Sequence, residues 1–197
     1  MTKLSVNINK IATLRNSRGG NYPDVLSFAK KIQEFGAAGI TIHPRPDERH
    51  IKYADAFALK EVVYTEFNIE GNPIEKFINL VNAIKPTQVT LVPDAVDAIT
   101  SNAGWDTITN KNMLKEIVSE FKSSNIRTSI FLDPDTKYID SVCEIGPDRI
   151  ELYTEQFAKE YSKNNLDVIK SYSKCASEIS KSGIGIKAGH DLSLKNI

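Results

Sequence analysis

The sequence predicts a (β/α)8 barrel of the α/β class. Short apolar or β-branched runs recur seven times along the 197 residues, as in strands that are buried on both faces of a parallel sheet. Helical patterns lie between them, which favours repeated βα units. Polar residues recur after strand upon strand, as expected when the loops of a barrel share one mouth. An open doubly wound sheet is the alternative, but no glycine-rich dinucleotide fingerprint follows the first strand.

The strands and helices follow from local patterns. Spacings of i, i+3, i+4 and i+7 predict two helices, one from Val25 to Ile32 and one from Leu114 to Phe121. Asn72 is predicted to cap a further helix with Pro73 at its first position. The seven predicted strands are LSVNI (4–8), GITIH (39–43), EFNIE (66–70), QVTLV (88–92), RTSIFL (127–132), RIELY (149–153) and GIGIK (183–187).

Three segments are predicted to be loops. Residues 13–24 (TLRNSRGGNYPD) are expected to form a flexible loop after the first strand. Residues 92–111 and 154–165 are long segments after the fourth and sixth strands, which makes them candidate lids.

The length predicts one barrel domain over 1–197. A closed barrel needs eight strands, and only seven are found before the sequence stops at Ile197. We therefore expect the eighth strand-helix unit to be absent from this chain, which would then be truncated at its C-terminus.

The composition argues against two classes of partner. The formal net charge is zero, whereas a general nucleic-acid or anionic-membrane binder would carry a basic excess. The N-terminus lacks the long apolar run of a signal peptide or membrane helix. Cys143 and Cys175 show no metal-type spacing and are expected to be reduced packing residues of a cytoplasmic protein.

Polar residues at the predicted strand ends are the candidates for chemistry. Burial of Glu70 would make it a usable general base, and His43 and His190 exchange protons readily near pH 7. Gly189 would let the backbone approach a ligand closely. The structural alternatives are an ion-paired Glu70 and imidazoles with packing or surface roles, the latter above all for His50.

The arginines suggest phosphate binding. Arg15 and Arg18 follow the first strand, and Arg45 and Arg49 follow the second. Guanidinium groups bind phosphate through paired hydrogen bonds, so four of them could hold two phosphates. Surface salt bridges are the alternative, especially for Arg15 and Arg49.

No metal site is predicted. Zinc hydrolases on barrels usually carry His-x-His on the first strand, where this chain has Asn7-Ile8-Asn9. His43 and His50 lack the helical i, i+4 spacing of metal ligands. Asp133-Pro134-Asp135 is interpreted as a turn.

Five collinear motifs resemble the PdxJ family of pyridoxine 5′-phosphate synthases. They are VNINKIATLRNSRG (6–19), GITIHPRPDERHI (39–51), FNIEG (67–71), LVPD (91–94) and KAGH (187–190).

The resemblance implies a (β/α)8 barrel that assembles as a homo-octamer and uses no metal or organic cofactor. It also implies the condensation of 3-amino-2-oxopropyl phosphate with 1-deoxy-D-xylulose 5-phosphate to pyridoxine 5′-phosphate, with release of phosphate and water. By position, Glu70 and His43 would be proton acceptors and His190 a proton donor. The amino-ketone phosphate would contact Asn7, Arg18 and Asp191, and the deoxyxylulose phosphate would contact Asn9, Lys10, Arg45, His50 and Thr100.

Two departures from the family pattern stand out. The family commonly carries Asp-His where this chain has Asn9 and Lys10, side chains that can hydrogen-bond a sugar hydroxyl but that argue against an acid-base role at position 9. The family's eighth strand carries a glycine-histidine phosphate contact that lies beyond this sequence. Two alternatives therefore remain open: a phosphosugar isomerase or Schiff-base aldolase that would use Lys187, and a non-catalytic fragment.

Overall fold

The computed structural model describes residues 2–94 and 101–197. They form two compact units. The N-terminal unit contains residues 2–91 and 124–126, and the C-terminal unit contains residues 92–94, 101–123 and 127–197. Among the described residues, no helix has both the length and the apolar character needed to cross a membrane.

The N-terminal unit is a four-stranded parallel sheet whose strands pair in chain order. Its strands are β1 (Ser5–Asn7), β2 (Gly39–Ile42), β3 (Glu66–Gly71) and β4 (Gln88–Leu91). Its helices are α1 (Asn9–Ser17), α2 (Val25–Glu34), α3 (Tyr53–Lys60) and α4 (Glu75–Ile84).

The C-terminal unit repeats this pattern with parallel pairing of β5 to β6 and of β6 to β7. Its strands are β5 (Arg127–Leu132), β6 (Arg149–Tyr153) and β7 (Gly185–Gly189). Its helices are α5 (Lys111–Ser123), α6 (Ile139–Ile145), α7 (Glu155–Ser162) and α8 (Ile169–Lys181), with short 3-10 helices at Thr136–Tyr138 and Leu166–Val168.

This arrangement confirms the predicted fold class. Across the described residues there are seven parallel strands, and helices lie between consecutive strands along the chain. That is the order of a βα barrel with one strand fewer than eight.

The register divides each strand into an apolar and a polar face. In the N-terminal unit, Ile40 pairs with Phe67, and Ile69 pairs with Val89. Because successive side chains of a strand point to opposite faces, the intervening residues lie together on the other face. That second face carries buried polar side chains, which are Thr41, Asn68, Glu70, Gln88 and Thr90.

The helix patterns are largely confirmed. All four apolar residues of the stripe in α5, which runs from Leu114 to Phe121, are buried. In α2, Val25 and Ala29 are buried, but Phe28 is 38% exposed and Gln33 is buried instead. The carboxylate of Asp24 caps α2 by accepting a hydrogen bond from the Ser27 N–H at 3.1 Å.

Four local predictions are wrong. The loop predicted over 13–24 begins inside α1, which extends to Ser17, and the long insert predicted over 154–165 contains α7. Helix α4 begins at Glu75, not Pro73, because Ile74 still has extended backbone angles (φ −74°, ψ 158°). Strand β7 begins at Gly185, two residues later than predicted, because the chain turns at Gly183 with a φ of 77°. Lys187 consequently lies in the middle of the strand.

The two cysteines are free, but only Cys175 is the packing residue that the sequence predicts, because Cys143 is exposed.

Candidate active site

A network of buried polar side chains crosses the N-terminal unit. Asn68 is at its centre, with its amide nitrogen 3.2 Å from Thr41 Oγ1 and 3.3 Å from Glu70 Oε1. Its amide oxygen accepts hydrogen bonds from Gln88 Nε2 at 3.0 Å and from Thr90 Oγ1 at 2.9 Å. The network therefore ties the polar faces of β2, β3 and β4 together.

Glu70 lies near the carboxyl end of β3 and is only 6% exposed. Gly71 follows it, and the ring of Phe77 occupies the space that a side chain at position 71 would need. The small residue thus lets α4 pack directly behind the end of the strand. A buried carboxylate at a strand end is suited to general-base chemistry.

His43 follows β2 directly and is also buried. Its backbone N–H donates a hydrogen bond to Asn9 Oδ1 at 2.9 Å. The N–H of Asn9 in turn donates to Asn7 Oδ1 at 2.9 Å. These bonds bring three of the predicted site residues together where α1 begins.

His50 is half-buried, with its ring centroid 6.4 Å from that of His43. Burial, and next the positive charges of Arg45 and Arg49, lower the pKa of His50 to about 4. Its Nδ1 accepts a hydrogen bond from the Ile51 N–H at 2.9 Å. The imidazole is therefore neutral at pH 7 and carries its proton on Nε2, where it can donate to an anion.

Arg15 forms the salt bridge that was the alternative to phosphate binding, but the pair is buried and not at the surface. It is 4% exposed, and its guanidinium group forms two hydrogen bonds of 2.6 and 2.7 Å with the carboxylate of Asp55. It also donates to the His50 carbonyl at 3.2 Å. The neighbouring Asn16 amide donates to the carbonyls of Arg49 and His50, so α1 anchors the segment that carries His50.

The other predicted arginines differ in their surroundings. Arg49 Nε lies 2.7 Å from the carboxylate of Asp47, so the predicted surface salt bridge is present. Arg45 is 4% exposed and close enough to His50 to lower its pKa. Arg18, at the end of α1, and Lys10, near its start, are exposed.

The C-terminal unit contains a second cluster, formed by Glu151, Lys187 and His190. Lys187 Nζ lies 2.6 Å from Glu151 Oε2, and His190 Nδ1 lies 3.7 Å from Glu151 Oε1. Burial alone would raise the pKa of Glu151, but the Lys187 ammonium and His190 hold it well below its usual range. Gly189 leaves room for this cluster, because a Cβ atom there would force the Glu151 carboxylate to shift.

Aromatic rings enclose His190. Its ring centroid lies 4.6 Å from that of Phe131 and 5.3 Å from that of Tyr153. The Tyr153 hydroxyl lies 2.7 Å from Glu155 Oε2 and 3.2 Å from the Ser101 carbonyl. Burial, together with Glu155, raises the pKa of Tyr153, so the phenol is protonated and serves as a hydrogen-bond donor.

The residue that directly follows β6, Thr154, fixes the turn that carries His190. The Thr154 hydroxyl lies 2.6 Å from the carbonyls of both Gly189 and His190. His190 and Asp191 have positive φ angles of 88° and 56°. Non-glycine residues rarely adopt this conformation, and it is common at functional turns.

Several of these residues were not predicted to have a role. The sequence patterns predict only strand positions for Asn68, Phe131 and Tyr153. Asn68 and Glu70 are two positions apart, so they were detectable as a polar pair on one face of a strand. Thr100 lies outside the described residues. Asp135 accepts a local hydrogen bond from the Lys137 N–H, as in the predicted turn, whereas Asp133 accepts one from the distant Gly104 N–H.

The two clusters offer proton acceptors, proton donors and cationic groups. Glu70 and His43 can exchange protons, while His50 and Arg45 can bind an anion. Within residues 2–94 and 101–197, no three His, Cys, Asp or Glu side chains are grouped as metal ligands.

Comparison with protein families gives one match over nearly the whole chain. A model described as the pyridoxal phosphate biosynthesis protein PdxJ matches residues 4–197. Three similar proteins, each named pyridoxine 5′-phosphate synthase, come from Christiangramia forsetii, Flavobacterium johnsoniae and Cytophaga hutchinsonii, with 64%, 62% and 60% identity. Each alignment covers all of this chain and 83% of the relative.

Solved structures support the fold alone. A mandelate oxidase aligns with a TM-score of 0.59 over 92% of this chain and 66% of its own. A D-psicose 3-epimerase aligns with a TM-score of 0.54 over 96% of this chain and 85% of its own. Both share only 9% sequence identity with this chain.

Proposed function

The chain belongs to the PdxJ family, and on that premise we propose that it is a pyridoxine 5′-phosphate synthase. Three relatives that carry this name are 60–64% identical to it. The reaction condenses 3-amino-2-oxopropyl phosphate with 1-deoxy-D-xylulose 5-phosphate, and the products are pyridoxine 5′-phosphate, phosphate and water.

The proposed chemistry is general acid-base catalysis. Glu70 and His43 accept protons, and His190 donates one. Imine formation, dehydration and ring closure each move protons, so several titratable groups are needed. The observation that carries the proposal is the buried Glu70 carboxylate at a strand end, held by the Asn68 amide. The amine comes from the substrate, so no enzyme lysine is needed for a Schiff base.

The substrate contacts are proposed in two groups. Asn7, Arg18 and Asp191 contact the amino-ketone phosphate. The Asn9 Oδ1 atom already accepts the His43 N–H, which orients the amide nitrogen of Asn9 as a donor to a sugar hydroxyl. A neutral His50 beside Arg45 supports an anion site, since both present N–H donors to a phosphate. The deoxyxylulose phosphate contacts Asn9, Lys10, Arg45, His50 and Thr100.

The decisive experiment mixes the purified chain with both phosphorylated substrates, without added metal or cofactor, and measures pyridoxine 5′-phosphate. We expect turnover, and Glu70→Gln should lower kcat about 100-fold or more because the base is lost. Glu66→Gln, at the opposite end of the same strand, is the matched control and should stay near the wild-type kcat. Wild-type turnover by Glu70→Gln contradicts the assigned base, and no turnover by the wild-type chain favours a non-catalytic fragment.

We further propose that the enzyme acts in the cytoplasm as a homo-octamer, as the family resemblance implies. Light scattering coupled to size-exclusion chromatography gives the assembly size. A monomer at the concentration of the activity assay would contradict the proposed assembly, and cell fractionation tests the location.

A further inference from the structure

We propose that Asn68 is a positioning residue that aims the Glu70 carboxylate at the substrate. This inference rests on the proposed function, in which Glu70 is the general base. Asn68 lies on β3 two residues before Glu70, on the same polar face, and it is completely buried.

The hydrogen-bond capacity of Asn68 is used in full. An asparagine amide has two N–H donors and two acceptor lone pairs. The donors reach Glu70 Oε1 and Thr41 Oγ1, and the acceptors take the Gln88 amide and the Thr90 hydroxyl. Asn68 therefore has no group left for substrate, and any effect on the reaction passes through Glu70.

The bonds to the oxygen of Asn68 decide which way its amide points. Gln88 Nε2 can only donate, so the Asn68 atom facing it must be the acceptor oxygen. The amide nitrogen then faces Glu70 Oε1, to which it donates. Gln88 is the register partner of Asn68, and Thr90 is the register partner of Glu70. Strand β4 thus holds the amide that orients the carboxylate on β3.

Such positioning matters because a general base must lie within hydrogen-bond distance of the proton that it removes. A displacement of about 1 Å can cost about 100-fold in rate. Without the amide donor, the Glu70 carboxylate loses one of the contacts that fix its position. The substrate would still bind, but fewer complexes would be ready to react.

The test compares Asn68→Ala and Asn68→Asp with the wild type, and measures kcat, KM, the pH profile of kcat and thermal unfolding. Asn68→Ala should lower kcat about 10- to 100-fold with KM nearly unchanged. Asn68→Asp places a second carboxylate beside Glu70, and neighbouring carboxylates oppose each other's ionisation. The acidic limb of its kcat profile should therefore move to higher pH, which a merely structural role would not cause.

A second pair of variants covers the case in which both Asn68 variants fail to fold. Thr90→Val keeps the shape but removes the hydroxyl that binds Asn68 Oδ1, whereas Thr90→Ser keeps that hydroxyl. We expect kcat to fall in the valine variant and to recover in the serine variant. The inference is overturned if the two Thr90 variants have equal kcat. It is also overturned if the Asn68 variants fold and keep the wild-type kcat and pH profile. If Glu70→Gln is also fully active, the proposed function of Glu70 has failed instead.

Discussion

The ammonium of Lys187 lies 2.6 Å from the carboxylate of Glu151, and the two residues are register partners on neighbouring strands. Their side chains are only 21% and 4% exposed. Removal of one partner from a buried pair leaves an uncompensated charge, which typically costs about 3–5 kcal/mol. The pair is therefore expected to stabilise β6 and β7 as well as the turn that carries His190.

Lys187→Met should lower the free energy of unfolding at pH 7 by about 3 kcal/mol, the lower end of that range. Glu151 has a folded-state pKa below its ordinary 4.5, so its contribution is complete above pH 4.5 and lost as the pH falls through the folded value. The difference in the free energy of unfolding between the wild type and the variant should therefore become smaller below pH 4.5. Urea unfolding between pH 7 and pH 3 measures it, with the Glu151→Gln/Lys187→Met double variant as control. A difference that does not depend on pH would contradict the prediction.

Borohydride should not trap substrate on Lys187. A Schiff-base lysine needs an uncharged amine, whereas the Lys187 ammonium is bound to the Glu151 carboxylate. Mass spectrometry after borohydride treatment with each substrate checks this. A substrate adduct on Lys187 would instead support the alternative of a barrel aldolase.

The imidazole of His50 should stay neutral down to about pH 5. Its pKa falls from the ordinary 6.5 to about 4 because of burial and the nearby arginines. Neutral His50 makes its full contribution to the free energy of unfolding above pH 6.5, and this contribution is lost as the pH falls toward 4. NMR titration of the imidazole nitrogens should show the tautomer with the proton on Nε2 throughout pH 5–7. A midpoint near 6.5 would contradict the assignment, and His50→Asn identifies the signals.

Arg15→Met should destabilise the protein by about 3–5 kcal/mol, since it breaks a buried pair with Asp55. Arg49→Met is the matched control: it breaks the more exposed pair with Asp47, and such surface pairs contribute about 1 kcal/mol or less. Chemical denaturation of both variants gives the comparison. If Arg15 were instead a phosphate ligand, its variant would raise KM with little loss of stability.

Gly71→Ala should cost about 1–3 kcal/mol, because the added methyl group would overlap with the Phe77 ring. Phe77→Leu in the same chain should recover part of this loss, so the two substitutions should be non-additive. Gly20→Ala, which meets no atom within 4 Å, is the control and should change stability by about 0.5 kcal/mol or less. Additive effects of the first two substitutions would show that the ring is not the cause.

Local patterns predicted the strands more accurately than the connections between them. The ranges 127–132 and 149–153 match β5 and β6, because buried strands are marked by their own apolar residues. Helix α1 was missed because its buried residues are only Ala12 and Arg15. What stabilises it is tertiary, above all the bond from Arg15 to Asp55, which lies 40 positions away along the chain.

The sequence by itself determined the α/β class, the parallel strand order, the family and the residue types available at the strand ends, because each is encoded in short local segments. Tertiary structure alone decided that Arg15 binds Asp55, that Lys187 pairs with Glu151, and that Gln88 and Thr90 hold the amide of Asn68. These assignments depend on strand register and on contacts between residues distant in sequence. Ion pairs and hydrogen bonds form between atoms about 3 Å apart. Such distances cannot be read from the order of residues along the chain.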